Sequence, residues 1–160
     1  MEAALALRLA RILALAVPTL LLGGAYLSQY GFGLYPCEMC WWQRYAHFAA
    51  LALAVLAWLR PQAAAPTWLA GLAIAIAGLI GGFHAGVEYG WWQGFTACTS
   101  TVDLAGGNPL DAIMKGPMIR CDVAQWTLFG ISLAGWNFLF STAAALSIFV
   151  LLARAGRQGG

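Results

Sequence analysis

Two of the four cysteines in this chain form a C-x-x-C pair, Cys37 and Cys40, in the stretch PCEMCWWQR. Attachment of a c-type haem requires a histidine directly after the second cysteine, but Trp41 stands there. A structural zinc site requires a second close pair, whereas Cys98 and Cys121 are far apart and have no histidine near them in sequence. We therefore expect no metal. The pair either cycles between dithiol and disulfide or forms a static structural disulfide.

Cys40 falls at the start of a predicted helix, where the helix dipole favours a thiolate, the reactive form of cysteine. At about 100° per residue, Cys40, Arg44 and His47 share one face of that helix. A guanidinium in an apolar helix is costly and commonly marks a functional site. The alternative is that Arg44 extends outward as an interfacial anchor.

A thiol, a cation and an ionisable ring on one face of an apolar helix predict an electron acceptor that is soluble in lipid, and a quinone is the obvious candidate. Reduction of a quinone by a thiolate places negative charge on an oxygen, which Arg44 could stabilise. His84 and Glu88 lie four residues apart on a later apolar run. They either handle protons during quinone reduction or pair structurally.

The composition makes the lipid bilayer the expected solvent. Hydrophobic residues make up 62% of the 160 residues, and charged residues make up 9%, compared with about 25% in soluble domains. A net charge of +2 gives no reason to expect a nucleic-acid partner.

The sequence predicts one domain over residues 1–160, an all-α membrane protein built as a four-transmembrane-helix bundle. The sequence contains four long apolar runs, and each meets the length of about 20 residues that a spanning helix needs. The first run could instead be a cleavable signal peptide, but its apolar core is longer than that of a typical signal. NPLDAIMK, at residues 108–115, predicts a short interfacial helix within the long second external loop. The predicted spans are about 12–30, 41–59, 68–89 and 127–152, and the long loop is about 90–126.

Basic residues predict the orientation of the bundle. Five arginines flank the helix ends on one side of a four-span arrangement, and the positive-inside rule places that side, with both termini, in the cytoplasm. Both cysteine-bearing loops then face outward, where disulfides persist. The five arginines are Arg8, Arg11, Arg60, Arg154 and Arg157.

Two features of the later runs predict close helix packing. Gly78, Gly82 and Gly86 recur every four residues and form a smooth stripe on the third helix. Asn137 in the fourth run predicts a hydrogen bond between helices.

Several motifs together resemble the disulfide bond formation protein B (DsbB) family of bacterial inner-membrane thiol:quinone oxidoreductases. They are PCEMCWWQR, FHAGVEYGWWQG, the cysteine segments TACTS and IRCD, and CDVAQWTLFGISLAGWN entering the last helix. The resemblance covers about residues 20–146 in the same four-helix order. C-x-x-C-x-x-x-R combined with two further loop cysteines is more specific than either pair alone.

The resemblance implies an order of electron transfer. Cys98 would form the mixed disulfide with a periplasmic thioredoxin-fold oxidase similar to DsbA. The Cys98–Cys121 pair would be reoxidised through Cys37, and Cys40 would pass electrons to ubiquinone or menaquinone beside Arg44. The expected resting disulfides are then Cys37–Cys40 and Cys98–Cys121, and the expected quinone-binding residues are Arg44, His47, His84 and Glu88.

Three other classes share parts of this pattern. An enzyme similar to vitamin K epoxide reductase would normally carry its quinone-side C-x-x-C in a later helix. A tetraspan structural protein would need only static disulfides. A haem held between His47 and His84 would give a Soret band.

Overall fold

The computed structural model describes residues 2–94 and 120–158. Within these residues the chain forms four long helices and one small hairpin. The elements are α1 (Glu2–Phe32), α2 (Glu38–Leu59), α3 (Ala65–Glu88), β1 (Thr127–Leu128), β2 (Ile131–Ser132) and α4 (Leu133–Gln158). The predicted all-helical architecture is therefore confirmed for the described part. Cys98, Lys115 and the predicted interfacial helix at 108–115 lie outside it.

Three of the helices, α1, α3 and α4, are long and apolar enough to cross a membrane. The fourth, α2, has 22 residues and so has the necessary length. Its first half contains Gln43, Arg44 and His47, which lower its apolarity. All three side chains are buried within the bundle.

The sharp connection between α1 and α2 places the first cysteine at a helix start. Gly33 has a φ of 68°, a left-handed conformation that favours glycine at the end of a helix. The amide of Leu34 then donates to the carbonyl of Ser28 at 3.1 Å. Cys37 caps α2, and its Sγ accepts a hydrogen bond from the amide of Cys40 at 3.4 Å.

The predicted start of the last span, near residue 127, is wrong, because the helix begins at Leu133. The preceding residues form the β1–β2 hairpin, whose turn residues Phe129 and Gly130 have φ values of 53° and 76°. Two positive φ values in a two-residue turn match the twist of a hairpin, so this apolar sequence turns before it becomes helical. The hydroxyl of Tyr89 anchors the hairpin by donating to the carbonyl of Gly130 and accepting from the amide of Ser132.

The helices form a ring in which α1 packs on α2 and α4, and α3 also packs on α2 and α4. Alanine makes up seven of the ten residues of the central cluster, so the backbones approach closely. The glycine stripe contributes as predicted: a Cβ at Gly78 would lie 3.0 Å from Ser141, and one at Gly82 would lie 2.8 Å from Phe138. The central cluster is Ala10, Ala14, Ala50, Ala54, Ala70, Ile74, Ala144, Ala145, Ile148 and Leu152.

Large apolar side chains point outward from this small-residue core. Leu20, Leu79 and Leu146 are 73%, 66% and 60% exposed. In water, such exposure would forfeit about 25 cal/mol for each Å² of apolar surface. Small residues inside and large ones outside suit a lipid environment.

Arg11 defines the end of the bundle opposite the thiol pair. Its side chain is buried and donates to the carbonyls of Pro61 at 2.7 Å and Ala63 at 3.4 Å. The first turns of α1 and the α2–α3 loop therefore lie at one end. Cys37 and Cys121 lie together at the other end, as the predicted orientation requires.

Candidate redox site

The thiol pair lies in the first turn of α2. Cys37 donates its S–H to the sulfur of Cys40, and the two sulfurs are 3.2 Å apart. The hydrogen bond to Cys40 and burial raise the pKa of the Cys37 thiol to about 12, while a hydrogen bond to His84 acts in the opposite direction. Cys40 is therefore the sulfur better able to carry negative charge.

Cys121 lies beside the pair although it is distant in sequence. Gln125 donates to the carbonyl of Tyr35 at 2.7 Å and so ties the segment before α4 to the first loop. Cys121 is buried and packs in a cluster with Cys37. Cys37 therefore neighbours both Cys40 and a cysteine of the second loop, which is the geometry that a thiol–disulfide relay needs. Cys98 lies outside the described residues.

His84 completes this cluster from α3. Its Nε2 lies 3.5 Å from the sulfur of Cys37 and 3.7 Å from Oε1 of Glu88. Its Nδ1 lies 3.0 Å from Nε2 of Gln43. The structure thus brings the sequence-predicted pair His84 and Glu88 to the thiols, where both are largely buried.

The donor atoms of Cys37, His84 and Cys121 lie within 4.8 Å of one another. Thiolate and imidazole are zinc ligands, and sequence spacing did not reveal this grouping because it joins three separate segments. The hydrogen bonds around His84 do not suit a metal, however. A metal-bound histidine donates its other ring N–H to an acceptor, whereas Nδ1 of His84 faces the donor Nε2 of Gln43. The donor set fits a hydrogen-bonded thiol cluster better than a metal site.

Arg44 is buried, with 6% of its surface exposed. It donates to Oε1 of Gln29 at 2.6 Å and to the carbonyl of Ala25 at 3.1 Å, and it stacks on the rings of Tyr26 and Trp41. Among the described residues, no carboxylate lies within 4 Å of its guanidinium. The side chain therefore does not extend outward as an interfacial anchor, and its charge is held inside the bundle by neutral groups.

A cavity of about 260 Å³ joins the thiols to this charge. Its walls include apolar residues of α1 and α4. Its polar lining includes five residues of α2 and α3 that were predicted from the sequence to belong to the site. These five are Cys40, Arg44, His47, His84 and Glu88. The helical spacing of Cys40, Arg44 and His47 therefore does bring them to one space.

Three buried polar atoms of cavity-lining residues have no hydrogen-bond partner in the described structure. They are Nδ1 of His47, Oε2 of Glu88 and Nε1 of Trp136. His47 uses its other nitrogen, Nε2, to contact Oδ1 of Asn137 at 2.9 Å. Buried polar groups are nearly always satisfied, so unpartnered ones at a cavity indicate a ligand.

Sequence reasoning missed Gln43, which contacts Met39, His84 and Asn137. Gln43 could have been found from the sequence because its amide lies on the same helical face as Cys40. Polar side chains in apolar runs commonly form hydrogen bonds between helices. Sequence reasoning also missed Gln29 as a partner of Arg44. That contact depends on how α1 and α2 align, for which the sequence offers no direct signal.

Fold and site together define a class: a helical membrane protein that carries a close C-x-x-C thiol pair at the end of its bundle, beside an apolar cavity. Comparison with known proteins identifies the family. The family model described as "Disulfide bond formation protein DsbB" matches residues 7–151, and the chain belongs to this family. The resemblance inferred from the motifs is confirmed.

Curated relatives agree over nearly the full length. A disulfide bond formation protein B of Verminephrobacter eiseniae is 35% identical over 94% of this chain and 88% of its own length. Proteins of the same name from Acidovorax sp. and Polaromonas sp. are each 34% identical, covering 92% and 94% of this chain and 89% and 93% of their own. No solved structure gave a significant match. The protein is thus an oxidoreductase of disulfide-bond formation.

Proposed function

We propose that this protein is a membrane thiol:quinone oxidoreductase that reoxidises a periplasmic thioredoxin-fold disulfide oxidase and generates disulfides de novo. One observation carries the proposal: Cys40, 3.2 Å from Cys37, lines the same cavity as a buried arginine that has no carboxylate partner in the described structure. The dithiol then meets protein thiols from the aqueous side and a quinone from the lipid side.

Electrons pass through two disulfide exchanges. The partner's dithiol reduces the Cys98–Cys121 disulfide through a mixed disulfide at Cys98 and leaves as a disulfide. The resulting Cys98–Cys121 dithiol reduces the Cys37–Cys40 disulfide, with attack at Cys37 and departure of Cys40 as a thiolate. Contact of Cys121 with Cys37 supports this second exchange. Two electrons and two protons are transferred in each step.

A membrane quinone, ubiquinone or menaquinone, would accept these two electrons and two protons when bound in the cavity. Arg44 supplies positive charge beside Cys40 for a developing oxyanion. Trp136 offers an unpartnered N–H, and His47 offers an unpartnered ring nitrogen. His84 and Glu88 lie next to the thiols and would move protons released there.

We also propose that all four helices span the bacterial inner membrane with both termini in the cytoplasm. The polar half of α2 is compatible with this because Gln43, Arg44 and His47 are 7%, 6% and 3% exposed, so lipid would not contact their polar groups. The ends of the bundle also sort as required, with Arg11 and the α2–α3 loop opposite the thiols.

The decisive experiment uses the purified protein and a reduced thioredoxin-fold oxidase. Continued oxidation of that partner, beyond the equivalents that the protein's own two disulfides supply, should occur only when quinone is supplied, with one quinol formed per disulfide. Cys40→Ala should abolish quinone reduction. Multiple turnovers of partner oxidation without quinone would contradict the proposal, and disulfides resistant to both partner and quinol would indicate a structural tetraspan protein instead.

The pairing of the cysteines can be tested separately. Peptide mapping of the oxidised protein under alkylating conditions should show Cys37–Cys40 and Cys98–Cys121 as the dominant links, with an interloop link only during turnover. A stable Cys40–Cys98 disulfide in the resting protein would contradict the relay.

A further inference from the structure

A buried chain of hydrogen bonds joins the two histidines across α2, α3 and α4. It runs from His47 to Asn137, from Asn137 to Gln43, from Gln43 to His84, and on to the sulfur of Cys37. We propose that Gln43 and Asn137 are positioning residues that fix the tautomer of both rings, so that His84 presents an N–H to Cys37.

Backbone carbonyls determine the direction of this chain. The amide nitrogen of Asn137 lies 3.1 Å from the carbonyl of Ala77, and that of Gln43 lies 3.1 Å from the carbonyl of Met39. A carbonyl oxygen can only accept, so each side chain must turn its NH₂ group toward its carbonyl. Asn137 then donates its second hydrogen to Oε1 of Gln43 at 2.8 Å.

The orientation of Gln43 decides the state of His84. The second N–H of Gln43 points at Nδ1 of His84 at 3.0 Å, so Nδ1 must be an acceptor without a hydrogen. The neutral ring therefore carries its hydrogen on Nε2, 3.5 Å from the sulfur of Cys37. An N–H beside this sulfur stabilises it whenever it carries negative charge during disulfide exchange.

The same reasoning sets the state of His47. Oδ1 of Asn137 accepts from Oγ of Ser141 at 3.0 Å and from Nε2 of His47 at 2.9 Å. Nδ1 of His47 is therefore a bare acceptor. If the proposed quinone function holds, this nitrogen can accept a hydrogen bond from the hydroxyl of a reduced quinone. A neutral His47 has no hydrogen on Nδ1 to donate to the carbonyl of an oxidised quinone.

Gly81 leaves space for the hydrogen bond between Asn137 and Gln43. A Cβ at Gly81 would lie 2.9 Å from the amide nitrogen of Asn137 and 3.2 Å from Oε1 of Gln43. Any larger residue would push into the bond between the two amides.

Nitrogen-15 NMR of histidine-labelled protein tests the proposal directly, because the chain has only two histidines. A His47→Phe variant assigns the two rings. In the wild type at neutral or higher pH, both rings should carry hydrogen on Nε2. Hydrogen on Nδ1 of His84 would overturn the proposal, and this wild-type result does not depend on whether any further variant folds.

Substitution of Gln43 provides the causal test. Glu at this position can only accept, so Gln43→Glu should move the His84 hydrogen to Nδ1. Gln62→Glu, an exposed substitution with the same charge change in the α2–α3 loop, should leave both rings unaltered. An unchanged His84 tautomer in a folded Gln43→Glu protein would refute the role of Gln43.

A kinetic readout connects the tautomer to the thiol. Gln43→Met keeps the side-chain length but removes the donor to His84. Exchange of the Cys37–Cys40 disulfide with a small dithiol, measured without quinone, should slow about tenfold, the loss expected for one hydrogen bond. An unchanged rate would contradict the functional part of the proposal. Because neither quinone nor protein partner is present, failure here is distinct from failure of the proposed oxidoreductase function.

Discussion

Arg44 offers the sharpest test of the quinone site. Replacing it with alanine removes the positive charge beside Cys40 together with the hydrogen bonds to Gln29 and Ala25. The substitution leaves both cysteines of the C-x-x-C pair in place. We therefore expect Arg44→Ala to weaken the use of quinone while sparing dithiol exchange at Cys98.

The expected size of the effect follows from the burial of the guanidinium. A charge-assisted contact in a buried site typically contributes about 1.5–3 kcal/mol, which corresponds to about a ten- to hundredfold loss in kcat/KM for quinone. Arg44→Lys should recover only part of this loss. Lysine keeps the charge but lacks the planar fork that reaches two acceptors and stacks on Tyr26 and Trp41.

Arg11 provides a matched control for structural damage. It is also a buried arginine that donates two hydrogen bonds, but to carbonyls at the opposite end of the bundle. Arg11→Ala and Arg44→Ala should both lower the melting temperature, and only Arg44→Ala should change the quinone dependence. The assay is steady-state turnover with quinone varied at saturating reduced partner, combined with single-turnover exchange in the absence of quinone.

Arg44 has no role at the quinone site if Arg44→Ala and Arg11→Ala lower the melting temperature equally and both leave the quinone dependence of turnover unchanged. Arg44 would then only join α1 to α2, and the quinone site would have to be rebuilt around His47 and α3. Loss of the exchange step in Arg44→Ala, with quinone use intact, would also contradict the assignment.

Orientation, thiol reactivity and helix packing each give a further expected result. A reporter that is active only in the cytoplasm should be active when fused in the α2–α3 loop, and a reporter that is active only in the periplasm should be active when fused in the long loop. The opposite pattern would reverse the orientation. In the reduced protein at about pH 8, iodoacetamide should label Cys40 before Cys37, because the hydrogen bond to Cys40 and burial raise the pKa of Cys37 to about 12. Peptide mass spectrometry measures this order, and earlier labelling of Cys37 would contradict it. Gly81→Ala should destabilise the protein by about 1–3 kcal/mol in thermal unfolding because its Cβ would crowd Asn137. Gly23→Ala, with nothing within 4 Å, should not, and equal effects would refute the packing argument.

The helices were predictable because apolar runs of sufficient length leave few alternatives in a lipid-like composition. The helical period also placed Cys40, Arg44 and His47 on one face, and the structure lines one cavity with them. The start of α4 was not predictable from hydropathy, because the hairpin before it is itself largely apolar. Its signal was Gly130, which supplies a positive φ in the turn.

Contacts between distant segments could not be predicted in the same way. The position of Cys121 beside Cys37 depends on how the segment before α4 folds back onto the first loop, through contacts such as that of Gln125 with Tyr35. A single sequence contains no spacing rule for such contacts. The family resemblance linked the two cysteine pairs functionally, but it did not reveal His84 as the neighbour of Cys37.

The polar groups inside this apolar bundle fall into two kinds, and the difference assigns their roles. Gln43 and Asn137 have their hydrogen-bonding groups engaged by backbone carbonyls and by each other, so they cost little to bury and hold three helices in register. Nδ1 of His47, Oε2 of Glu88 and Nε1 of Trp136 have no hydrogen-bond partner in the described structure, and the guanidinium of Arg44 is bound only by neutral groups there. All four residues line the cavity. An unpartnered buried polar group typically costs about 1–3 kcal/mol. Arg11 and Thr67 each carry one such atom away from the cavity, but three of the five unpartnered atoms of the described residues lie on its lining, next to amides that are satisfied. The cavity is therefore where a ligand would supply the missing partners.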